Sequence, residues 1–142
     1  MPTCEQLKEL AKTRLKEVEL LHHHGFYDGA YYLSGYIIEF SLKAKICKLL
    51  NLDQYPESGP ISKTFKTHKL DDLVILAGIE KELEEEKVNN PGFLVSWSLV
   101  TKWSEQFRYE PIGTKKHEAI EEIILALSDP KDGVLIWITK RW

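Results

Sequence analysis

The sequence predicts an all-α fold, an up-and-down bundle of five to six helices in which residues 1–142 form a single domain. Apolar residues recur at three- and four-residue steps through most of the chain, which is the periodicity of amphipathic helices. The segment Tyr27–Leu50 is apolar on nearly every face, and only other parts of a protein can cover such a helix. We therefore expect the remaining helices to pack around this segment.

Composition and charge are those of a globular protein. Hydrophobic residues make up 43% of the chain and charged residues 29%, values that argue against disorder. The net charge of -3 gives no general attraction to nucleic acid, so such contacts must come from local basic patches. The N-terminus lacks a signal peptide pattern, and no uncharged stretch is long enough to cross a membrane. We expect a cytoplasmic protein without membrane association.

The two cysteines, Cys4 and Cys47, are too few for a disulfide scaffold or a zinc knuckle. We expect both to be reduced. If the first two helices form an antiparallel hairpin that turns near Gly25, Cys4 and Cys47 lie at about the same height along it. Whether the two thiols are close in space stays open. No motif in the chain requires a cofactor.

The first two helices are predicted to form an antiparallel hairpin. Helix one runs from Thr3 to His24, with Thr3 as its N-cap and Gly25 just beyond its C-terminus. Asp28 is the expected N-cap of the long second helix.

The middle of the chain is predicted to be a loop followed by one helix. Prolines and glycines between Asn51 and Ile61 indicate an exposed loop. Apolar spacing from Leu70 to Val88 predicts a third helix, with an interruption at Gly78.

Two or three more helices are predicted in the last third of the chain. The fourth runs from Phe93 to Phe107 and stops before Pro111, because a residue that precedes proline is disfavoured in a helix. The fifth runs from Thr114 to Leu127, with Thr114 as N-cap. Residues 134–140 have the composition of a strand or a short helix; we favour a helix because no partner strand exists.

The histidine run at the end of helix one is the first candidate for a metal site. Glu19 and His22 have the Glu-x-x-His spacing of di-iron bundles, but those bundles need a second such motif and the chain has none. Adjacent helical residues point about 100° apart, so His22, His23 and His24 cannot converge on one ion. We therefore expect no metal site. Phosphate-binding glycine loops and serine or cysteine nucleophile motifs are also absent from the sequence.

Glu39 and Lys43 lie one helical turn apart in the apolar second helix, in the favourable order for an ion pair. We expect a structural pair, half-buried or beside a groove. The aromatic residues concentrate on the second and fourth helices, where they fit either the core or a dimer interface: Tyr27, Tyr31, Tyr32, Tyr36, Trp97, Trp103, Phe107 and Tyr109.

The block Ala30–Ala44, AYYLSGYIIEFSLKA, resembles the second helix of HEPN domains, small all-α modules of prokaryotic defence, stress and toxin-antitoxin systems. His68-Lys69-Leu70 is similar to the family's His-x-Leu segment before helix three. Arg108-Tyr109-Glu110-Pro111 is similar to its Arg-Tyr-Pro segment, and Trp137-Ile138 to the Trp-Ile of its last helix. The resemblance extends over essentially the whole chain.

This resemblance implies a homodimer and two alternative functions. Many HEPN proteins are metal-independent ribonucleases with an Arg followed after four to six residues by a His, in a cleft shared across the dimer. Here Arg14 and His22 have seven residues between them, Arg108 and His117 have eight, and no His follows Arg141. The departure favours the other kind of HEPN protein, a non-catalytic module that binds nucleotide or RNA or accompanies a nucleotidyltransferase.

Four residues are the candidates for contact with nucleotide or RNA phosphate: Lys43, His68, Arg108 and Tyr109. The alternative is a toxin- or defence-type ribonuclease that uses a displaced Arg/His pair across a dimer. In that case the catalytic residues would be Arg108 with His68 or His117, since histidine can transfer a proton and arginine can stabilise the phosphorane charge.

Overall fold

The computed structural model describes residues 1–142 and contains eight α-helices and one 3₁₀ helix, with no β-sheet. The all-α prediction is confirmed, with more helices than the five to six expected. No helix is both long and apolar enough to span a membrane. In chain order the helices are α1 (Cys4–His23), α2 (Tyr27–Leu49), α3 (Ser62–Phe65), α4 (Leu70–Leu76), α5 (Glu80–Asn89), α6 (Pro91–Val100), the 3₁₀ helix (Glu105–Tyr109), α7 (His117–Ser128) and α8 (Val134–Thr139).

Helix α2 is the centre of the structure, and α1, α4, α7 and α8 all pack against it. Its buried side includes Ile37, Ile38 and Leu42, none of which is exposed to solvent. Gly35 lets the indole of Trp103 lie directly on the helix backbone, since a Cβ at residue 35 would stand 1.8 Å from the Trp103 ring. The indole N–H then donates to the carbonyl oxygen of Tyr32 at 3.0 Å.

Helix α1 begins with the predicted cap. The Thr3 hydroxyl accepts from the Gln6 N–H at 3.1 Å, and the Gln6 side chain accepts from the Thr3 N–H at 2.9 Å. The turn after α1 passes through Gly25 at a φ of 81°, as glycine permits.

The predictions that Asp28 caps α2 and that Thr114 caps the fifth helix are wrong, and one contact explains both. The N-cap of α2 is Phe26, without a side-chain hydrogen bond. The Asp28 carboxylate instead accepts from the backbone N–H groups of Gly113 at 2.6 Å and Lys115 at 2.9 Å. This clamp fixes the loop before α7, which begins at His117, later than expected.

The predicted third helix is divided into α4 and α5 at Gly78, where φ is 69°. Before it, the segment expected to be an exposed loop contains a buried residue. Tyr55 is completely buried, and its hydroxyl donates to the carbonyl oxygen of Phe65 at 2.8 Å, which connects the loop to α3. The short helix α3 was not predicted.

The predicted fourth helix is too long by about two turns. Helix α6 ends at Val100, and Arg108 and Tyr109 lie in the separate 3₁₀ helix that Ser104 caps by accepting from the Gln106 N–H. The packing of Trp103 on α2 outweighs the local helical periodicity. Residues 134–139 form a helix, as favoured from the sequence.

Candidate functional site

Glu39, Lys43 and His68 meet where α2 passes the residues that precede α4. Lys43 Nζ lies 2.9 Å from Glu39 Oε1, and the two side chains are only 7% and 2% exposed. His68 Nδ1 lies 2.9 Å from Glu39 Oε1 and 3.1 Å from Oε2. An ionised carboxylate can only accept, so Nδ1 of His68 carries the donated proton and Nε2 is left free. Half of the His68 side chain is exposed to solvent.

The Lys43 ammonium is already surrounded by protein groups. Besides Glu39 it faces Glu57 Oε1 at 3.5 Å and the ring of Tyr55 at 5.0 Å. Burial, followed by the charge of Glu57, raises the pKa of Tyr55, so its phenol stays protonated as a donor. Lys43 therefore holds Glu39 in place from within the structure.

His68 lines an open cavity of about 300 Å³ between α4 and the end of α6. The acidic residues in its wall outnumber the basic ones. The cavity therefore suits a ligand group that donates hydrogen bonds better than it suits a phosphate. Its lining residues are His68, Lys69, Leu70, Asp71, Asp72, Thr101, Trp103, Ser104 and Glu105.

An aromatic strip formed by Trp103, Tyr36 and Tyr32 leads away from this cavity. The rings of Trp103 and Tyr36 are 5.0 Å apart, and the hydroxyls of Tyr36 and Tyr32 are 3.0 Å apart. Burial raises the pKa of Tyr36, and the hydrogen bond with Tyr32 raises it further. The Tyr36 hydroxyl therefore stays protonated in the neutral pH range.

Arg108 and Tyr109 lie at the other end of the strip. The Arg108 guanidinium is 4.8 Å from the centre of the Tyr109 ring, and 70% of Tyr109 is exposed. Interaction with the Tyr109 side chain, and to a smaller extent with Tyr32, raises the pKa of Arg108. This end of the strip offers a permanent positive charge and an accessible aromatic ring.

A second cation, Lys115, lies over the aromatic rings near this end. Its ammonium is 4.1 Å from the centre of the Tyr31 ring and 4.5 Å from that of Phe107. No sequence motif indicated Lys115, because its position depends on the Asp28 clamp.

His117 lies in different surroundings from His68. Its ring stacks on His22 with the ring centres 4.3 Å apart, and its Nε2 is 3.2 Å from Glu121 Oε1. Arg108 makes no hydrogen bond to His68 or His117 within one chain; its contacts are with Tyr109 and Tyr32. Of the predicted site residues, the structure thus joins Lys43 with His68 through Glu39, and Arg108 with Tyr109.

A family model described as HEPN domain matches residues 4–127. The match includes Glu39, His68, Arg108 and Tyr109. A search of curated proteins and a search of solved structures found no match.

Proposed function

The chain belongs to the HEPN family, and on that premise we propose that it is a binding module for a nucleotide or for single-stranded RNA that does not cleave its ligand. The observation that carries the proposal is the Arg108–Tyr109 pair at the end of the aromatic strip. An exposed tyrosine ring offers a stacking surface for a base, and the adjacent guanidinium offers a charge for phosphate.

The cavity at the Trp103 end of the aromatic strip is better suited to a base than to a phosphate. Asp71, Asp72 and Glu105 contribute carboxylates to its wall, and carboxylates accept hydrogen bonds from the exocyclic amines of bases. His68 adds the free Nε2 that its contact with Glu39 leaves available. We propose that Arg108 and Tyr109 bind the backbone and one base, and that His68 contacts a neighbouring base.

The absence of catalysis is supported by the spacing of arginines and histidines and by the surroundings of His68. No Arg of this chain precedes a His by the family's ribonuclease spacing. The cation nearest to the Glu39–His68 pair, Lys43, is buried and bound to two carboxylates. It is therefore poorly placed to stabilise a developing phosphorane charge.

One observation favours the alternative, a ribonuclease with a displaced Arg/His pair. The buried carboxylate of Glu39 holds one nitrogen of His68 and leaves the other exposed, as in sites where a histidine acts as general base. Arg108 of a second copy would then have to supply the charge. His117 is the weaker candidate, since its Nε2 is already near Glu121.

We propose a homodimer in both cases, as HEPN domains often dimerise. Phe40, a half-buried aromatic residue of α2 outside the aromatic strip, suits an interface where such rings are covered. A nucleotidyltransferase partner is a second proposal that rests on the family alone. Light scattering at micromolar concentration tests the dimer, and a monomer would remove it from both alternatives.

Binding of fluorescently labelled single-stranded RNA, followed by anisotropy, tests the proposed site. Tyr109→Ala should weaken binding by about 1–3 kcal/mol, the range found for base stacking on an aromatic ring, whereas Tyr109→Phe should bind as the natural protein does. Arg108→Ala should weaken binding and reduce its salt dependence. Arg14→Ala is the matched control, since Arg14 pairs with Glu17 on α1.

A further inference from the structure

A second group of side chains, apart from the aromatic strip, joins the end of α1 to the start of α7. His22 contributes an imidazole from the last turn of α1, and its Nε2 is buried without any hydrogen-bond partner. Buried polar atoms of a native protein nearly always have a partner, so this nitrogen requires an explanation.

The neighbours of His22 carry groups that bind metals. His117 and Glu121 lie one turn apart on the same face of α7, with Nε2 and Oε1 3.2 Å apart. The His117 ring stacks on that of His22 at an interplanar angle of 26°. One potential ligand atom from each of the three residues lies within 4.8 Å of the other two.

We propose that His22, His117 and Glu121 form a site for a divalent transition metal, with Zn²⁺ as the best fit. Two imidazole nitrogens and one carboxylate oxygen are a donor set that zinc accepts, with the fourth position left to water or another ligand. The bound ion would give Nε2 of His22 the partner that it lacks.

The ligand atoms of His22, His117 and Glu121 must move closer together to bind zinc, because Zn–N and Zn–O bonds are about 2.0–2.2 Å long. The mobile partners are His117 and Glu121, whose side chains are 46% and 56% exposed. His22 is the fixed partner, because its Nε2 is buried and its ring lies beside that of Tyr27, with the ring centres 5.8 Å apart. Binding therefore needs side-chain rotations on α7 and no change in the helices.

Room for a further ligand exists beside the group. His22 and Glu121 line an open cavity of about 440 Å³ together with Glu19, Ile124 and Leu125. Glu19 lies one turn before His22 on α1, so its carboxylate or a water molecule is the natural candidate for the fourth position.

A metal bound here would connect two helices that come from opposite ends of the sequence. It would also lie directly after the loop that Asp28 holds against α2. Any ligand that binds only the folded state raises stability, so zinc should raise the melting temperature of the protein. This proposal does not depend on the proposed binding of RNA.

Calorimetric titration of the untagged protein with ZnCl2 tests the proposal. We expect one zinc ion per chain, and a rise in melting temperature when zinc is added. His117→Ala and Glu121→Gln should each weaken binding by about tenfold or more, since even residues that only orient metal ligands contribute 10- to 100-fold. Both side chains are exposed, so both variants should fold.

The matched controls are His23→Ala and His24→Ala, which alter exposed histidines beside His22. They should bind zinc as the natural protein does. Loss of binding in these variants but not in His117→Ala would place the ion on the histidine run of α1 and overturn the proposal. Absence of zinc binding at micromolar concentration would overturn it too. Substitution with Co²⁺ adds an independent readout, because the intensity of its visible absorption reports whether the ion is four-coordinate.

Discussion

The imidazole of His68 and the carboxylate of Glu39 are 2.9 Å apart, although one precedes α4 and the other lies in the middle of α2. Glu39 is buried, and Lys43 binds it from the same helix. The carboxylate thus shares its negative charge between an internal lysine and a histidine that reaches solvent. This relationship determines which nitrogen of His68 faces the cavity, and it gives the buried ion pair a role beyond helix stability.

Loss of the Lys43 charge should destabilise the protein. In Lys43→Met the apolar stem is retained but Glu39 loses one of its two partners, and breaking a buried pair costs about 3–5 kcal/mol. We expect about 3 kcal/mol, the lower end of that range, because His68 still bonds to Glu39. Urea denaturation measures the difference.

The control for this prediction is Lys45→Met, a change of the same chemistry at a partly exposed position of the same helix. It should alter the free energy of unfolding only slightly. Equal destabilisation by the two substitutions would mean that the Glu39–Lys43 pair contributes nothing specific.

Gly35→Ala should disrupt the aromatic strip. The new Cβ would stand 1.8 Å from the ring of Trp103, which must move because the helix backbone cannot. Overpacking of this kind costs about 1–3 kcal/mol or more. We expect a lower free energy of unfolding, a changed tryptophan fluorescence spectrum and weaker RNA binding.

Gly29→Ala is the control for Gly35→Ala, since on the same helix it should stabilise the protein instead of destabilising it. A Cβ there meets nothing nearer than the Leu21 side chain at 3.9 Å, so alanine should stabilise the helix by up to about 1 kcal/mol through its greater helix propensity. If Gly35→Ala were equally stabilising, the described packing of Trp103 would be wrong.

Asp28 should contribute to stability in a pH-dependent manner. The N–H groups of Lys115 and Gly113 bind its carboxylate and lower its pKa below the ordinary value of 3.8. A lowered folded-state pKa means that the contribution is complete above the unfolded-state pKa and is lost as the pH falls through the folded-state value. We therefore expect the free energies of unfolding of the natural protein and of Asp28→Asn to converge as the pH falls. Urea denaturation from pH 6 to about pH 2 measures both.

Asp53→Asn is the control for Asp28, since the Asp53 carboxylate is exposed and accepts no hydrogen bond. Its difference from the natural protein should stay small at every pH. If the difference in the free energy of unfolding between the natural protein and Asp28→Asn stayed constant throughout the acid range, the prediction would be wrong. The stabilisation by Asp28 would then not depend on the charge of its carboxylate.

Cys47 should react slowly with thiol reagents in the folded protein. Burial, with a smaller contribution from Cys4, raises the pKa of its thiol to about 11. Only about one molecule in a thousand would then carry the reactive thiolate at pH 8. In Cys4→Ser the remaining thiol is that of Cys47. Titration of this variant with a thiol-specific chromophore should show slow modification in the folded protein and rapid modification after unfolding.

The variant Cys47→Ser isolates the other thiol. Cys4 is partly exposed, and its Sγ lies 3.5 Å from the Ala44 carbonyl oxygen. We expect it to react faster than Cys47. Rapid reaction of Cys47 in the folded state at pH 8 would contradict the burial described.

The sequence was sufficient for the fold wherever the determining forces are local. Periodicity located α1, α2 and α7, and the Thr3 capping box and Gly25 turn follow from residues three or fewer positions apart. The HEPN resemblance likewise rests mainly on one continuous block of α2, and the family match agrees with it.

Long-range contacts explain where sequence reasoning failed. The Asp28 side chain bonds a loop far along the chain instead of its own helix, and the end of α6 depends on a tryptophan that packs on Gly35. Spacing along α1 predicts that His22, His23 and His24 do not converge on one ion. It could not indicate that α7 brings His117 and Glu121 to the same place.

The most direct measurement of the central claim is to incubate the protein with mixed single-stranded RNA in EDTA and to follow binding and cleavage in the same samples. We predict that the natural protein retards the RNA and leaves it intact, and that Arg108→Ala and Tyr109→Ala lose the binding. Cleavage that disappears in both His68→Ala and Arg108→Ala would contradict the account and establish the ribonuclease alternative.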